Sequence, residues 1–181
     1  MQFSESEIIK QLSDSRTRAA DFGEIVRSNQ EKLYWHVRKM VLCHDDANDI
    51  LQNVFMKAWR SIDNFRGESK ISTWLYRIAT NEVYTFLEQR KKRNTISVDG
   101  EDVDLFAAMK ADSYFDGNEA EAKLQKAILS LPEKQRLVFN MRYFDEIPYA
   151  EMEEILGTSI GALKASYHHA YKKIEQYLKE E

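Results

Sequence analysis

Apolar residues recur along this chain at the spacing of α-helix faces. Phe22, Ile25, Leu33, Val37 and Met40 fall on one side of a predicted helix of about twenty residues, with Asn29 as a candidate break. Ile50, Leu51, Val54, Phe55, Ala58, Trp59 and Ile62 then recur at i, i+1, i+4, i+5, i+8, i+9 and i+12, which predicts a second helix able to cover the first. Asp45 and Asp46 suit the positively polarised start of that helix. After the connector Asp63-Asn64-Phe65-Arg66-Gly67-Glu68-Ser69-Lys70, a third stripe runs through Ile71, Trp74, Leu75, Ile78, Ala79, Val83 and Phe86. It ends in Arg90-Lys91-Lys92-Arg93, cations matched to the negative end of a helix.

The second half is punctuated more sharply. Leu124, Ile128 and Leu131 lead to Pro132, which opens a helix over Glu133 to Tyr143, and Pro148 does the same for Tyr149 to Leu156. Gly157 supplies the left-handed residue that ends that helix, and Ser159 caps the next, whose buried stripe is Ile160, Leu163, Tyr167, Ala170, Ile174 and Leu178. Helix, three-residue turn, helix is the unit that sets its second helix into a DNA major groove. Opposite the stripe lie Ala162, Ala165, His168, His169 and Lys172, with Lys164 and Ser166 on the flanks. Alanines permit close approach to thymine methyls, and lysine and histidine donate to base edges or phosphates. A packed hairpin with a merely solvated polar face has the same pattern. Charge separation favours the DNA reading: Asp145, Glu146, Glu151, Glu153 and Glu154 crowd the preceding segment, whereas Ile160 to Ile174 holds three lysines, two histidines and no acid.

Composition agrees with an all-α chain, since 181 residues include only two prolines and six glycines. Two small helical domains, 1–93 and 121–181, flank a linker over 94–120 that carries seven acids against one lysine, or −6. The whole chain is −4, so the remainder sums to +2 (−4 minus −6), which argues against indiscriminate coating of nucleic acid. A single cysteine, Cys43, excludes an internal disulfide and reads as a core thiol, and with His44 it cannot complete a metal site. No apolar run is long enough to span a membrane and no secretory leader opens the chain, so a cytoplasmic location without membrane insertion is expected.

Two separated halves resemble one family in the right order, the extracytoplasmic-function (ECF) sigma factors of bacterial RNA polymerase. Asp46-Ala47-Asn48-Asp49-Ile50-Leu51-Gln52-Asn53-Val54-Phe55-Met56-Lys57-Ala58-Trp59 resembles the helix by which their second sigma domain grips the β′ clamp helices. Phe65-Arg66-Gly67 and Ser72-Thr73-Trp74-Leu75-Tyr76-Arg77-Ile78-Ala79-Thr80-Asn81 resemble their promoter-opening and minus-ten segment. Leu129-Ser130-Leu131-Pro132-Glu133-Lys134-Gln135-Arg136 and the helix-turn-helix resemble their fourth domain, which reads the minus-thirty-five element and meets the β flap.

The resemblance implies a promoter-specificity subunit without catalytic residues, metal or cofactor. Its partners would be core RNA polymerase, promoter DNA and an anti-sigma factor. It assigns Asp46, Asp49, Gln52, Asn53, Phe55, Met56 and Lys57 to polymerase, and Phe65, Arg66, Lys70, Thr73, Trp74, Arg77 and Asn81 to minus-ten DNA. Ala162, Lys164, Ala165, Ser166, His168, His169 and Lys172 fall to minus-thirty-five DNA. Trp74 also sits on the apolar stripe, where core packing is the commoner fate of a large aromatic. Asn48 and Asn53 stand where glutamates are common in the family, and Lys164 to Tyr171 replaces a frequently arginine-rich run.

Two rivals share parts of the pattern. Asp45-Asp46-Ala47-Asn48-Asp49 spells the DDxxD of all-α isoprenoid synthases, but no second acidic motif accompanies it and helix-start acids explain it. A dimeric helix-turn-helix regulator would share the C-terminal reader and bind a palindrome unaided. His36, His44, His168 and His169 show no nucleophile or carboxylate partner at informative spacing.

Overall fold

The first apolar stripe becomes one unbroken helix, α1, Arg18–Val41. Asn29 does not break it, because its amide Nδ2 donates back to the Ile25 carbonyl at 2.8 Å and so reinforces the turn it was expected to interrupt. The computed structural model describes Glu7, residues 16–96 and residues 118–180. After α1 come α2 (His44–Ser61), a 3₁₀ turn (Ile62–Asn64), α3 (Ile71–Ile96), α4 (Glu119–Leu129), α5 (Glu133–Tyr143), α6 (Tyr149–Leu156) and α7 (Ile160–Glu180). No strand occurs among the described residues. Most of the acidic stretch lies outside them; at its far end Asn118 caps α4 through a reciprocal box with Glu121.

Local chemistry places the C-terminal helix ends. Pro132 and Pro148 stand as N-caps of α5 and α6, with extended backbone where a missing N–H costs nothing. Gly157 takes φ 63° at the end of α6, and the Ala162 N–H donates to Ser159 Oγ at the start of α7. At the α1–α2 corner the left-handed position falls instead on Leu42, φ 67°, whose side chain is buried. Cys43 is consequently the N-cap of α2 and half-buried, rather than the core thiol expected.

Helices α1, α2 and α3 pack together through Leu33, Val37, Met40, Ile50, Val54, Ala58, Leu75, Ala79 and Val83. That cluster does not stop at the acidic stretch. Leu137, Val138 and Met141 of α5, Ile147, Met152 and Ile155 around α6 and Leu163 of α7 belong to the same continuous core. A smaller cluster of Ala127, Ile128, Leu131, Phe139, Ala170 and Ile174 holds α4 to α5 and α7, with the Phe139 ring stacked on Tyr167 at 5.7 Å and on Tyr143 at 5.1 Å.

Two stripe residues lie further out than their spacing predicts. Trp59 is 39% exposed, with the Phe22 edge and the Arg18 guanidinium each 5.1 Å from its ring, and Leu178 is 36% exposed near the end of α7.

Glycine-to-alanine substitutions at two nearby positions should move stability in opposite directions. Gly157→Ala forces a side chain into the left-handed region and should cost about 1 kcal/mol, whereas Gly161→Ala, inside helical α7 with open space around it, should gain about 0.5 kcal/mol. Urea unfolding midpoints of the two variants check both signs.

Candidate functional site

Three surfaces emerge from these elements. The outward face of α2 exposes Asp49, Gln52, Asn53, Met56, Lys57 and Arg60, while Asp46 and Phe55 are half-buried at its edges. Met56 is 45% exposed, an apolar side chain outside both core clusters. Lys57 is ion-paired with Glu82 of α3, which fixes its direction across the α2–α3 groove.

The second surface surrounds the connector before α3. Gly67, φ 70°, turns the chain, and a cleft of about 640 Å³ opens between Asn64, Phe65, Arg66, Glu68, Ser69, Trp74 and Arg77 on one side and Glu154 of α6 on the other. Trp74 packs against the core, as its stripe position predicts, and also lines the cleft. Arg66, Lys70, Arg77 and Asn81 are exposed. Phe65 and Thr73, expected against DNA, are instead buried. The Phe65 ring packs on Trp74 at 5.4 Å, and the Thr73 hydroxyl has no hydrogen-bond partner. Thr73 lies on the α3 stripe shared by Arg77 and Thr80, the side turned toward α6 and α1.

On α7, Ala162, Lys164, Ala165, His168, His169 and Lys172 are exposed and Ser166 is half-buried, so these residues share one outward face. Lys164 reaches over the Tyr149 ring at 5.8 Å, and Lys172 pairs with Glu175 at 2.9 Å.

Between the two halves lies a polar seam for which the sequence offered no signal. The Asp145 side chain is only 4% exposed and is held by two residues of α1: His36 Nδ1 lies 3.0 Å from Oδ2, and Lys39 Nζ donates to Oδ1. His36 Nε2 meets Thr80 Oγ1 at 3.1 Å, so both ring nitrogens are engaged, and its ring stands edge-on to Tyr76 at 4.9 Å. Burial by itself raises the Asp145 pKa, but the His36 hydrogen bond and the charges of His36 and Lys39 outweigh it and hold the carboxyl below its usual range. Burial first, and the Asp145 charge second, push the Tyr76 hydroxyl well above its ordinary value. Around this centre Lys70 pairs with Glu151, Lys91 with Glu133 at 2.6 Å, and Arg77 donates through Nε (3.1 Å) and Nη2 (2.6 Å) to the Glu154 carbonyl. The His36–Asp145 pair spans 109 residues, beyond any spacing rule.

Among the described residues no three His, Cys, Asp or Glu side chains gather as metal ligands would, and no helix is long and apolar enough to cross a membrane.

Residues 25–93 match the family model for Sigma-70 region 2, and residues 121–174 match that for Sigma-70, region 4. The ECF RNA polymerase sigma factor SigW of Bacillus subtilis is 32% identical over 88% of this chain and 89% of its own length. The chain belongs to the ECF sigma factors. As a sigma factor it binds core RNA polymerase and promoter DNA and directs promoter-specific initiation; it is an initiation factor, not an enzyme. The ECF sigma-E factor of Escherichia coli K12 is 30% identical over 72% of each chain. The sigma factor RpoE of Bartonella quintana, solved with the anti-sigma factor NepR, superposes with a TM-score of 0.72 at 25% identity, covering 88% of this chain and 97% of that one. CnrH, solved with the cytosolic domain of CnrY, shares the fold at a TM-score of 0.68 and 18% identity, over 98% and 96% of the two chains.

Region 2 of the sigma factor is thus α1 to α3 and region 4 is α4 to α7, with Asp145 binding the two together. Because the Asp145 pKa is depressed, its contribution is complete above the unfolded value of 3.8 and is lost as pH falls through the lower folded value. Asp145→Asn should therefore cost about 1–3 kcal/mol at pH 7. The gap between wild type and variant in urea midpoint should close progressively as pH falls below 3.8.

Proposed function

We propose that the three surfaces divide the work of initiation. The α2 face, Asp46, Asp49, Gln52, Asn53, Phe55, Met56 and Lys57, docks on the β′ clamp helices of the polymerase, with exposed Met56 as its apolar centre. Arg66, Lys70, Trp74, Arg77 and Asn81 take the minus-ten element, with buried Phe65 and Thr73 supporting them from behind. The α7 face, Ala162, Lys164, Ala165, Ser166, His168, His169 and Lys172, reads the minus-thirty-five duplex, while region 4 also meets the β flap. The observation that carries this division is the cleft beside Arg66 and Arg77. An aromatic floor flanked by guanidinium groups suits an unstacked base with its phosphate.

The energetics assign a large share to the polymerase. Separating about ten base-pair steps asks for roughly 14 kcal/mol, while stacking a base returns about 1–3 kcal/mol. The sigma factor supplies recognition and a place to trap a base; the core enzyme supplies the larger surface and the channel that holds separated strands. The protein works in the cytoplasm with that enzyme. The solved relative RpoE carries the anti-sigma factor NepR, which supports an anti-sigma factor as this protein's regulator.

Transcription reconstituted with purified core polymerase tests the division. Met56→Ala should weaken core binding about fivefold with an unchanged melting temperature. Arg77→Ala should leave core binding intact and reduce open-complex formation about tenfold. Equal loss of core binding in both variants would refute the separation of surfaces, and autonomous binding to a palindrome without core polymerase would favour a helix-turn-helix regulator.

A further inference from the structure

The 21 residues of α7, Ile160–Glu180, hold four lysines, two histidines and no arginine. Each lysine is engaged within the protein. Lys164 lies over the Tyr149 ring at 5.8 Å, Lys172 and Lys179 share Glu175 at 2.9 Å each, and Lys173 donates to Gln135 Oε1 at 3.1 Å. His168 and His169 differ. Both are exposed, their rings stand edge to face with centroids 6.1 Å apart, and among the described residues neither has a hydrogen bond or an ion pair. The unspent donors on the outward face of α7 are therefore imidazoles. The two remaining histidines are closed to DNA: His36 is buried between Asp145 and Thr80, and His44 is held by Tyr34 at 2.7 Å and Asn48 at 2.9 Å.

The surroundings supply no anion to either ring. One turn away on α7 stand Lys164, Tyr171, Lys172 and Lys173, three of them cations. From α4, Glu121 is taken up in the Asn118 capping box and Lys123 donates to the Leu178 carbonyl at 3.2 Å. From α5, Glu133 is paired with Lys91 and Arg142 lies over Tyr149. From α6, Glu151 is paired with Lys70, and Glu153 accepts from the Ile160 N–H at 3.2 Å. Among the described residues no carboxylate stands within ion-pairing distance of His168 or His169.

Histidine is the side chain whose charge changes between pH 5 and pH 8. Its neutral ring offers one N–H and one acceptor nitrogen, whereas the protonated ring offers two N–H donors and a positive charge. Duplex DNA presents phosphate oxygens and purine N7 atoms, acceptors that favour the protonated form. Ala162 and Ala165, small and exposed on the same face, let the helix approach closely enough for both rings to reach them.

We propose that His168 and His169 make minus-thirty-five recognition proton-linked: the imidazoles take up protons as α7 enters the groove, so that the holoenzyme binds its promoters more tightly as pH falls. This rests on the assignment of the α7 face to minus-thirty-five DNA. Linkage sets the direction. The complex holds protons that the free chain has released at pH 8, and acidification therefore favours the complex until the free imidazoles are charged as well. Four lysines against Glu175 and Glu180 give α7 a formal charge of +2, which two protonated imidazoles double.

The test uses holoenzyme reconstituted from purified core polymerase and the full chain. A duplex is first selected by this holoenzyme from a pool of randomised DNA, and its affinity is then measured by fluorescence anisotropy at constant ionic strength at pH 6 and pH 8. The ratio of the two affinities should be about tenfold larger for wild type than for a His168→Gln, His169→Gln double variant, whose amides hydrogen-bond but do not titrate. A His168→Arg, His169→Arg variant, charged at both pH values, should lose the same pH dependence and bind more tightly than wild type at pH 8. Any pH dependence of the core enzyme, His36 or His44 is common to all three proteins and cancels in the comparison. A wild-type ratio no larger than that of the glutamine variant would overturn the proposal. Ala165→Glu, which sets an acid on the same exposed face, separates the two possible failures. If it blocks binding while the ratios agree, proton linkage alone is wrong; if it leaves binding intact, the minus-thirty-five assignment of α7 fails and the proposal with it. All the substituted side chains are exposed, and circular dichroism melting at both pH values confirms that each variant is folded.

Discussion

A single buried carboxylate, Asp145, governs how this protein is put together. A charge in an apolar interior is tolerable only when it is paired and hydrogen-bonded, and Asp145 obtains both from α1, which lies in the other region of the chain. Its backbone N–H also donates to the Asn140 carbonyl at the end of α5, so the carboxylate is tied to the helix it follows. Fixing α5 against α1 in this way sets where Pro148 starts α6, and α6 in turn comes to rest on α3. The apolar core then closes continuously across both regions through Leu137, Met141, Met152 and Leu163.

The seam draws on cations of the kind that a phosphate would also engage, because carboxylate, carbonyl and phosphate oxygens present the same chemistry. The Lys70 and Arg77 N–H groups donate to oxygens carrying negative charge or partial charge, and α6 offers Glu151 and a C-terminal carbonyl. The excess of acids before Gly157 and of bases after it therefore has two consequences. It leaves the outward face of α7 cationic, and it gives the preceding helix a counterpart in region 2.

Where the signal was local, the sequence was legible to the residue. Pro132, Pro148, Gly157 and Ser159 each act on their own backbone, and each stands at the helix boundary it was expected to mark. The outward residues of α2 and α7 were also readable, since helical period alone separates them from their apolar stripes. Asn29, Cys43 and Trp59 were misread because their fates depend on what surrounds them: an available carbonyl, the left-handed Leu42 next door, and the limited cover given by Phe22. Phe65 and Thr73 belong with these, for nothing in their spacing reveals that a second region lies beside the connector and α3.

The amino-acid order thus determined the helices, their two groupings, the acidic charge between them and the family, because these follow from short-range periodicity, turn chemistry and contiguous motifs. Only the tertiary structure decided that the groupings share a core, that His36 and Asp145 pair across 109 positions, and that Lys70 and Arg77 are engaged by α6. The physical reason is range. Helix propensity and capping act within a few residues, whereas burial of a charge and complementarity of two surfaces arise only when distant segments exclude water together.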